Sequence, residues 1–449
     1  MTAGVGDPLS SSAHHASTDV LVIGGGPAGS TAAILLAERG YKVVVVDKAR
    51  HPRFHIGESL LPANLPLFER LGVADRIRAI GLQKWGAEFV SPSDGHTETF
   101  EFAEAWNKRL PYAYQVRRSE FDEILIRRAA ERGATVIEGC RARTVEFDKC
   151  GSGVRVEAER DDGARCSWDA RFLIDASGRD TFLANHLGVK RRNPKHSSAA
   201  IYGHFAGAER HKGRRAGNIL IYWFDHGWFW FIPLADGATS VGAVVWPNYL
   251  KTRRAPLRDF LLASIQLCPP LAERLKNASL ITAVEAAGNY SYASDCSHGR
   301  NYLLIGDAYA FIDPVFSSGV WLAMHGAVAA GDAVDTCLRE PAHAHAALRT
   351  FHRVMRRGTK EFSWFIYRVT TPAMRQLFMQ PGNPLRVKEA LLSVLAGDIF
   401  GDTPIWPSVS AFKAIYYFFS AFKLRRTLAS LRRHRQNITP VAPDETAAH

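Results

Sequence analysis

Gly24, Gly26 and Gly29 stand in the run Asp19-Val-Leu-Val-Ile-Gly-Gly-Gly-Pro-Ala-Gly, the Gly-x-Gly-x-x-Gly spacing that cradles a pyrophosphate. Gly24 permits a tight turn, Gly26 lets the backbone approach the phosphates, and Gly29 allows a helix to pack closely on a strand. Pro27 and Ala28 lead into an Ala/Leu-rich helix over Ser30–Glu38, whose free N–H groups and partial positive charge favour an anion. The next strand, Lys42–Val46, ends at Asp47, 18 residues beyond Gly29, where a carboxylate can accept from a ribose hydroxyl; Lys48 is assigned to the same site. Two further stretches carry chemistry. Lys84 stands in Gln83-Lys-Trp-Gly-Ala87, and an amine shielded from water is a nucleophile and a strong hydrogen-bond donor. Trp228-Phe-Trp-Phe-Ile-Pro233 concentrates two indoles in one hexapeptide, a pattern that also suits a plain buried strand.

The elements that hold these residues follow from size and pattern. A chain of 449 residues, 47% hydrophobic and 22% charged, is globular in composition and long enough for two or three structural units. Residues 1–17 are small and polar, without the basic-then-apolar order of a signal peptide, and are expected as a disordered tail. No uninterrupted apolar run reaches the ~18 residues that cross a bilayer, so the expected location is cytoplasmic. Six scattered cysteines show neither a Cys-x-x-Cys pair nor zinc-like spacing, which predicts reduced thiols and no metal. Between Ser197 and Trp246 the runs Ile219–Phe224, Trp228–Leu234 and Thr239–Trp246 alternate with Asp-His-Gly and Ala-Asp-Gly turns, an antiparallel meander. From Ala342 the chain turns helical and aromatic.

The net charge of +12 is uneven: residues 351–449 hold 15 Lys and Arg against 6 Asp and Glu, a net +9. Such a face attracts nucleic acid, anionic lipid or an acidic protein. No zinc-finger, RNP-like or helix-turn-helix signal is present, which sets nucleic acid aside. The segment 412–435 mixes aromatic residues with Lys and Arg and has no acid, predicting an amphipathic helix that packs on the body or touches a membrane surface peripherally.

The fingerprint alone does not separate NAD from FAD. Tyr302-Leu-Leu-Ile-Gly306-Asp307-Ala308, with Pro314 downstream, resembles the second flavin signature of the p-hydroxybenzoate-hydroxylase-like superfamily, in which the Asp holds the ribityl chain. Phe172-Leu-Ile-Asp175-Ala-Ser-Gly178-Arg179 resembles its central strand and turn, and Val116–Leu125 its helix start, where Arg118 would lie by the cofactor. Arg53, Glu58 and Ser59 fall where that superfamily lines FAD, while His51 and His55 are read as structural. The fold expected is α/β: a Rossmann-like FAD-binding domain (three-layer ββα), an inserted antiparallel β-sheet substrate domain, and a helical C-terminal region. The expected boundaries are 18–85, 115–195 and 296–341 for the FAD domain, 86–114 and 196–295 for the substrate domain, and 342–449 for the helices and basic tail. No second glycine fingerprint follows, so reduced FAD is expected from a separate flavin reductase.

Three features together resemble the flavin-dependent halogenases: Trp228-x-Trp230-x-Ile232-Pro233, Lys84 in a Lys-x-Gly-Ala context, and Phe311-x-x-Pro314-x-x-Ser317-x-Gly319. The resemblance implies O2 and a chloride or bromide ion as co-substrates. It implies halide held by Ser317, Ser318 and Gly319, with Gly319 and Val320 against the flavin. Lys84 would be the catalytic residue that holds hypohalous acid or forms a haloamine, and Trp228, Trp230, Ile232, Pro233, Phe311 and Phe316 the barrier between flavin and substrate. Tryptophan halogenases carry a Glu where this chain has Phe316, which implies an electron-rich substrate such as a phenol or pyrrole. The whole pattern, over Asp19–Gly401, is similar to phenol and pyrrole halogenases, many of which act on substrates tethered to acidic carrier proteins; the +9 C-terminal segment suits such a partner. The rival readings are a monooxygenase or reductase on the same fold, and a non-catalytic flavoprotein docked to membrane by its basic tail.

Overall fold

The computed structural model describes residues 14–438, apart from 93–94, 149–150, 152, 195, 289–290, 402, 423–427, 429–431 and 434–435. Strand His14–Ile23 runs parallel to Val43–Asp47 on one side and Arg165–Asp175 on the other. Thr135–Glu138 extends the parallel order beyond Val43–Asp47, and Tyr302–Leu304 pairs parallel with the end of Arg165–Asp175. Val154–Arg160 and Cys140–Phe147 continue the sheet antiparallel. Val20–Ile23 and Val43–Val46 are buried throughout, which is why both read as unbroken apolar runs. The parallel strands end side by side, and their following turns meet at one crevice, the place where open α/β sheets bind ligands.

One expectation about the N-terminus fails. His14–Ser17 are not tail but strand, paired with Cys166–Asp169. A ladder satisfies backbone groups whatever the side chains, so Ser, His and Ala here hid the pairing. Residues 1–13 of the expected tail lie outside the described residues.

A second sheet of eight strands runs in the order Ser279–Leu280, Ala199–Ala206, Thr239–Val245, Gly227–Pro233, Ile219–Phe224, Gly86–Val90 and Thr97–Glu101, with Glu285–Ala287 also on Ala199–Ala206. The meander over 219–245 forms as expected, with Trp223 opposite Trp228 and Pro233 opposite Thr239. The sheet is not wholly antiparallel, however: Ile219–Phe224 runs parallel to Gly86–Val90. Those strands come from segments far apart in sequence, so no tight hairpin dictates their direction. Trp228, Trp230 and Ile232 face the larger core shared with the first sheet, while Phe229 and Phe231 face a second core under helices Leu257–Gln266 and Pro269–Leu275. Burial on both faces explains a strand with no polar alternation.

Beyond the sheets the chain is helical: Gly319–Arg339, Ala344–Ile366, Pro372–Met379, Val387–Ala396 and Trp406–Phe422. Among the described residues no helix is long and apolar enough to cross a membrane, and no cluster of His, Cys, Asp and Glu could hold a metal ion.

Candidate active site

The turns at the ends of the parallel strands enclose a cavity of about 980 Å³. Gly24, Gly26, Pro27 and Ala28 line one end of it. Gly24 sits at φ +103°, and a Cβ there would come within 2.3 Å of the Ala176 carbonyl oxygen, so only glycine makes this turn. Gly29 does not reach the cavity; its role is packing, since a Cβ would lie 1.8 Å from the Gly24 oxygen. Asp47 lines the same wall, its carboxylate fixed by N–H donation from Gly25 at 2.6 Å and Ala49 at 2.8 Å. Lys48, also in the lining, is paired with Asp180.

Arg53, Glu58, Ser59 and Arg118 all line the cavity. The Arg118 guanidinium donates to both oxygens of the buried Asp122, at 2.8 and 3.0 Å, and to the Ile56 carbonyl at 2.6 Å. That pairing, four residues apart on one helix, holds the Asp122 carboxyl below its ordinary pKa against the opposing cost of its own burial. His51 is a structural partner of Glu138 and lies outside the cavity, as expected, whereas His55 lines it; burial lowers the His55 pKa to about 4. Glu58 accepts from His204 Nε2 at 3.0 and 3.1 Å, both side chains being buried. Sequence reasoning missed His204, which stands 146 positions from its partner. The only available signal was a histidine inside an apolar strand, Ala199–Ala206.

Gly306, Asp307, Pro314, Ser317, Gly319 and Val320 line the opposite side. Burial pushes the Asp307 pKa up to about 6, and its carboxylate has no hydrogen-bond donor among the described residues. The cavity, the glycine cradle and this waiting acceptor would suit FAD, with pyrophosphate expected at Gly24 and Gly26, ribose at Asp47 and ribityl hydroxyls at Asp307. Ser317 adopts φ +56° and its N–H is committed to the Pro314 carbonyl at 2.9 Å, so of the three expected halide residues Ser318 and Gly319 are the ones whose N–H groups have no acceptor among the described residues, at the start of the 21-residue helix Gly319–Arg339. Ser318 is buried and does not line the cavity.

Trp228, Trp230, Ile232 and Phe311 line the cavity; Pro233 and Phe316 do not. Trp230 lies flat over Gly242, where a Cβ would be 2.2 Å from the ring, and its Nε1 donates to Ser240 Oγ at 3.1 Å. Phe316 is turned away to stack on Phe378, with centroids 6.2 Å apart and planes 9° apart.

Lys84 also lies outside the flavin cavity, immediately behind its wall. It ends the short strand Leu82–Lys84, paired with Ala113–Gln115, and is 1% exposed. Nζ donates to Ser59 Oγ at 2.9 Å and to the Leu60 carbonyl at 3.1 Å, and lies 5.3 Å from the Phe102 ring centre. No carboxylate pairs with it among the described residues, and burial lowers its pKa to about 7. A large fraction of the amine is therefore neutral near pH 7. Ser59 links the two, lining the cavity and accepting from the buried Lys84 amine.

A family model described as FAD binding domain matches residues 17–360. The chain is 35% identical over 349 residues to a tryptophan 2-halogenase from Chondromyces crocatus, covering 75% of this chain and 65% of that one. It is 36% identical over 347 residues to the flavin-dependent halogenase armH3 of Armillaria mellea, covering 72% and 68%. The chain thus spans about two thirds of the length of these relatives. A 1H-pyrrole-2-carbonyl peptidyl-carrier-protein chlorinase from Pseudomonas fluorescens is 30% identical over 407 residues, covering 85% of this chain and 89% of that protein. Among solved structures, a flavoprotein/dehydrogenase from Cytophaga hutchinsonii matches with TM-score 0.83 and 28% identity, covering 91% of this chain and 100% of its own. The myxobacterial chondrochloren halogenase CndH matches with TM-score 0.75 and 32% identity, covering 90% and 97%.

Proposed function

The chain belongs to the flavin-dependent halogenases, and from that premise we propose that it uses reduced FAD, O2 and chloride or bromide to halogenate an electron-rich phenol or pyrrole carried on an acyl or peptidyl carrier protein. The observation that carries this reading is the buried amine of Lys84, which has no carboxylate partner among the described residues and is separated from the flavin cavity by Ser59. Reduced FAD with O2 supplies the oxidising equivalent: one FADH2, one O2, one halide and one proton give FAD, water and hypohalous acid. The chain's own work is positioning, exclusion and proton handling. The N–H of Gly319, which lines the cavity at a helix start, attracts the halide, with the Ser318 N–H behind it. Trp228, Trp230 and Ile232 wall the cavity so that a substrate ring does not reach the flavin directly. Lys84 receives hypohalous acid, either by donating a hydrogen bond from its ammonium or by attack of its neutral amine on the halogen, which forms a haloamine and releases water. The burial of Lys84, with the Phe102 ring beside it, keeps bulk water from consuming the electrophile.

Phe316 in place of an acid supports a ring that needs no carboxylate to assist substitution. The carrier-tethered form draws its support from the pyrrole chlorinase relative and from the +9 of residues 351–449. The reducing partner is a separate flavin reductase. Lys84→Ala tests the central role: the variant should oxidise reduced FAD normally yet release hypohalous acid without a halogenated product. Halogenation at the parent rate would remove Lys84 from the mechanism. The likeness to a flavoprotein/dehydrogenase favours a second reading, a reductase or monooxygenase on this fold, whose product would form without halide.

A further inference from the structure

Helix Trp406–Phe422 is apolar on both faces. Phe412 and Tyr416 are buried against helix Ala344–Ile366, with Tyr416 5.4 Å from Trp364 and Phe412 5.7 Å from Phe365 between ring centres. On the opposite face Ala414, Phe418, Ala421 and Phe422 are all exposed, at the spacing of a single helical stripe. Phe418 is 70% and Phe422 82% exposed. The helix is held in this orientation: Lys413 bridges inward to Glu361 at 3.0 Å, and the Tyr417 hydroxyl accepts from Trp364 Nε1 at 3.3 Å and Arg368 at 3.2 Å.

The sequence that follows is strongly cationic. Lys423, Arg425, Arg426, Arg432, Arg433 and Arg435 come in quick succession, and no Asp or Glu stands between Asp402 and Asp444. Of these, Arg432 and Arg433 are described and exposed, as is Leu428. A water-facing pair of phenyl rings beside an acid-free cationic segment matches a surface that is apolar in depth and anionic at its face. A second copy of this chain would cover the stripe but leave the cations without counter-charge; an anionic bilayer answers both.

We propose that the outward face of helix Trp406–Phe422, with the exposed Arg432 and Arg433 beyond it, is a docking surface for an anionic lipid membrane. The aromatic side chains enter the headgroup region while Arg432 and Arg433 meet lipid phosphates, seating the enzyme on the bilayer without crossing it. This surface is independent of the flavin site and of the halogenation chemistry.

The test is co-sedimentation of the FAD-loaded full chain with vesicles of phosphatidylcholine alone and of phosphatidylcholine with phosphatidylglycerol. The parent should bind the anionic vesicles, weakly or not at all the neutral ones, and less as salt rises. Phe418→Ser with Phe422→Ser should lower anionic-vesicle affinity by about tenfold or more, while flavin binding and thermal unfolding stay at parental values. The proposal is overturned if the parent fails to bind anionic vesicles, or if the double variant binds them as the parent does. It is equally overturned if sedimentation velocity finds a dimer that the double variant dissociates and vesicles are ignored, or if binding appears only with an acidic carrier protein.

Discussion

Replacing Lys84 with Met removes the amine while keeping an unbranched side chain of similar length. Burial takes the lysine from its ordinary 10.5 to about 7, which at about 1.4 kcal/mol per unit is on the order of 5 kcal/mol against the charged form. The folded value lies below the unfolded one, so between pH 7 and 10.5 the unfolded chain binds the extra proton and stability rises with pH. The contribution is fully present above pH 10.5 and is lost as pH falls toward 7, below which it changes no further. Lys84→Met titrates nothing at this position, and subtracting its stability from the parent's isolates the effect. Losing the donor to Ser59 and Leu60 adds only an offset independent of pH. Urea unfolding of both proteins at pH 7, 8.5 and 10 should show the parent gaining about 3–4 kcal/mol on the variant across that range. A difference that stays flat within about 1 kcal/mol would mean that Lys84 is not held in a water-poor site, and the chemistry assigned to its amine would lose its basis.

Four further outcomes are expected. If the neutral amine of Lys84 is the reacting form, kcat/KM for halogenation should climb about tenfold per pH unit below 7 and level off above it; a profile flat from pH 6 to 8 would exclude the haloamine route. Asp307, with a pKa of about 6, should hold FAD less tightly as pH falls below 6, and Asp307→Asn should weaken FAD binding about tenfold at pH 7.5, read by flavin fluorescence. Asp122→Asn strands the buried Arg118 guanidinium and should cost about 3–5 kcal/mol in urea unfolding. Gly242→Ala drives a methyl into the Trp230 ring and should cost about 1–3 kcal/mol, with a matching loss of halogenated product per FADH2 consumed if Trp230 walls the cavity.

Much of the fold was legible because its signals are local. The Gly24–Gly29 turn, the strands over 219–245 and the Gly306–Asp307 segment announce themselves through glycine placement and turn residues within a few positions. The His14–Ser17 strand did not, since its pairing depends on a partner more than a hundred residues away and its side chains are polar or small. The parallel join of Ile219–Phe224 to Gly86–Val90 was hidden for the same reason. Within the site, residue types were readable but compartments were not. Trp228 and Trp230 line the flavin cavity, whereas Lys84 stands behind Ser59, and Glu58 is completed by His204; each relation is created by packing between distant segments. Ser317, Ser318 and Gly319 look equivalent in sequence, and only the folded turn shows that the Ser317 N–H is already committed.

The most direct measurement combines intact-mass analysis with the Lys84→Ala variant. Purified enzyme, a flavin reductase, FAD, O2 and either chloride or bromide are supplied to pyrrolyl- and phenol-loaded carrier proteins, and in parallel to the free phenols and pyrrole acids. The account predicts replacement of hydrogen by the supplied halogen with the parent protein, and no halogenated product from Lys84→Ala even as it consumes reduced FAD at the parental rate. An oxygenated product indifferent to halide, or halogenation by Lys84→Ala at the parental rate, would contradict it.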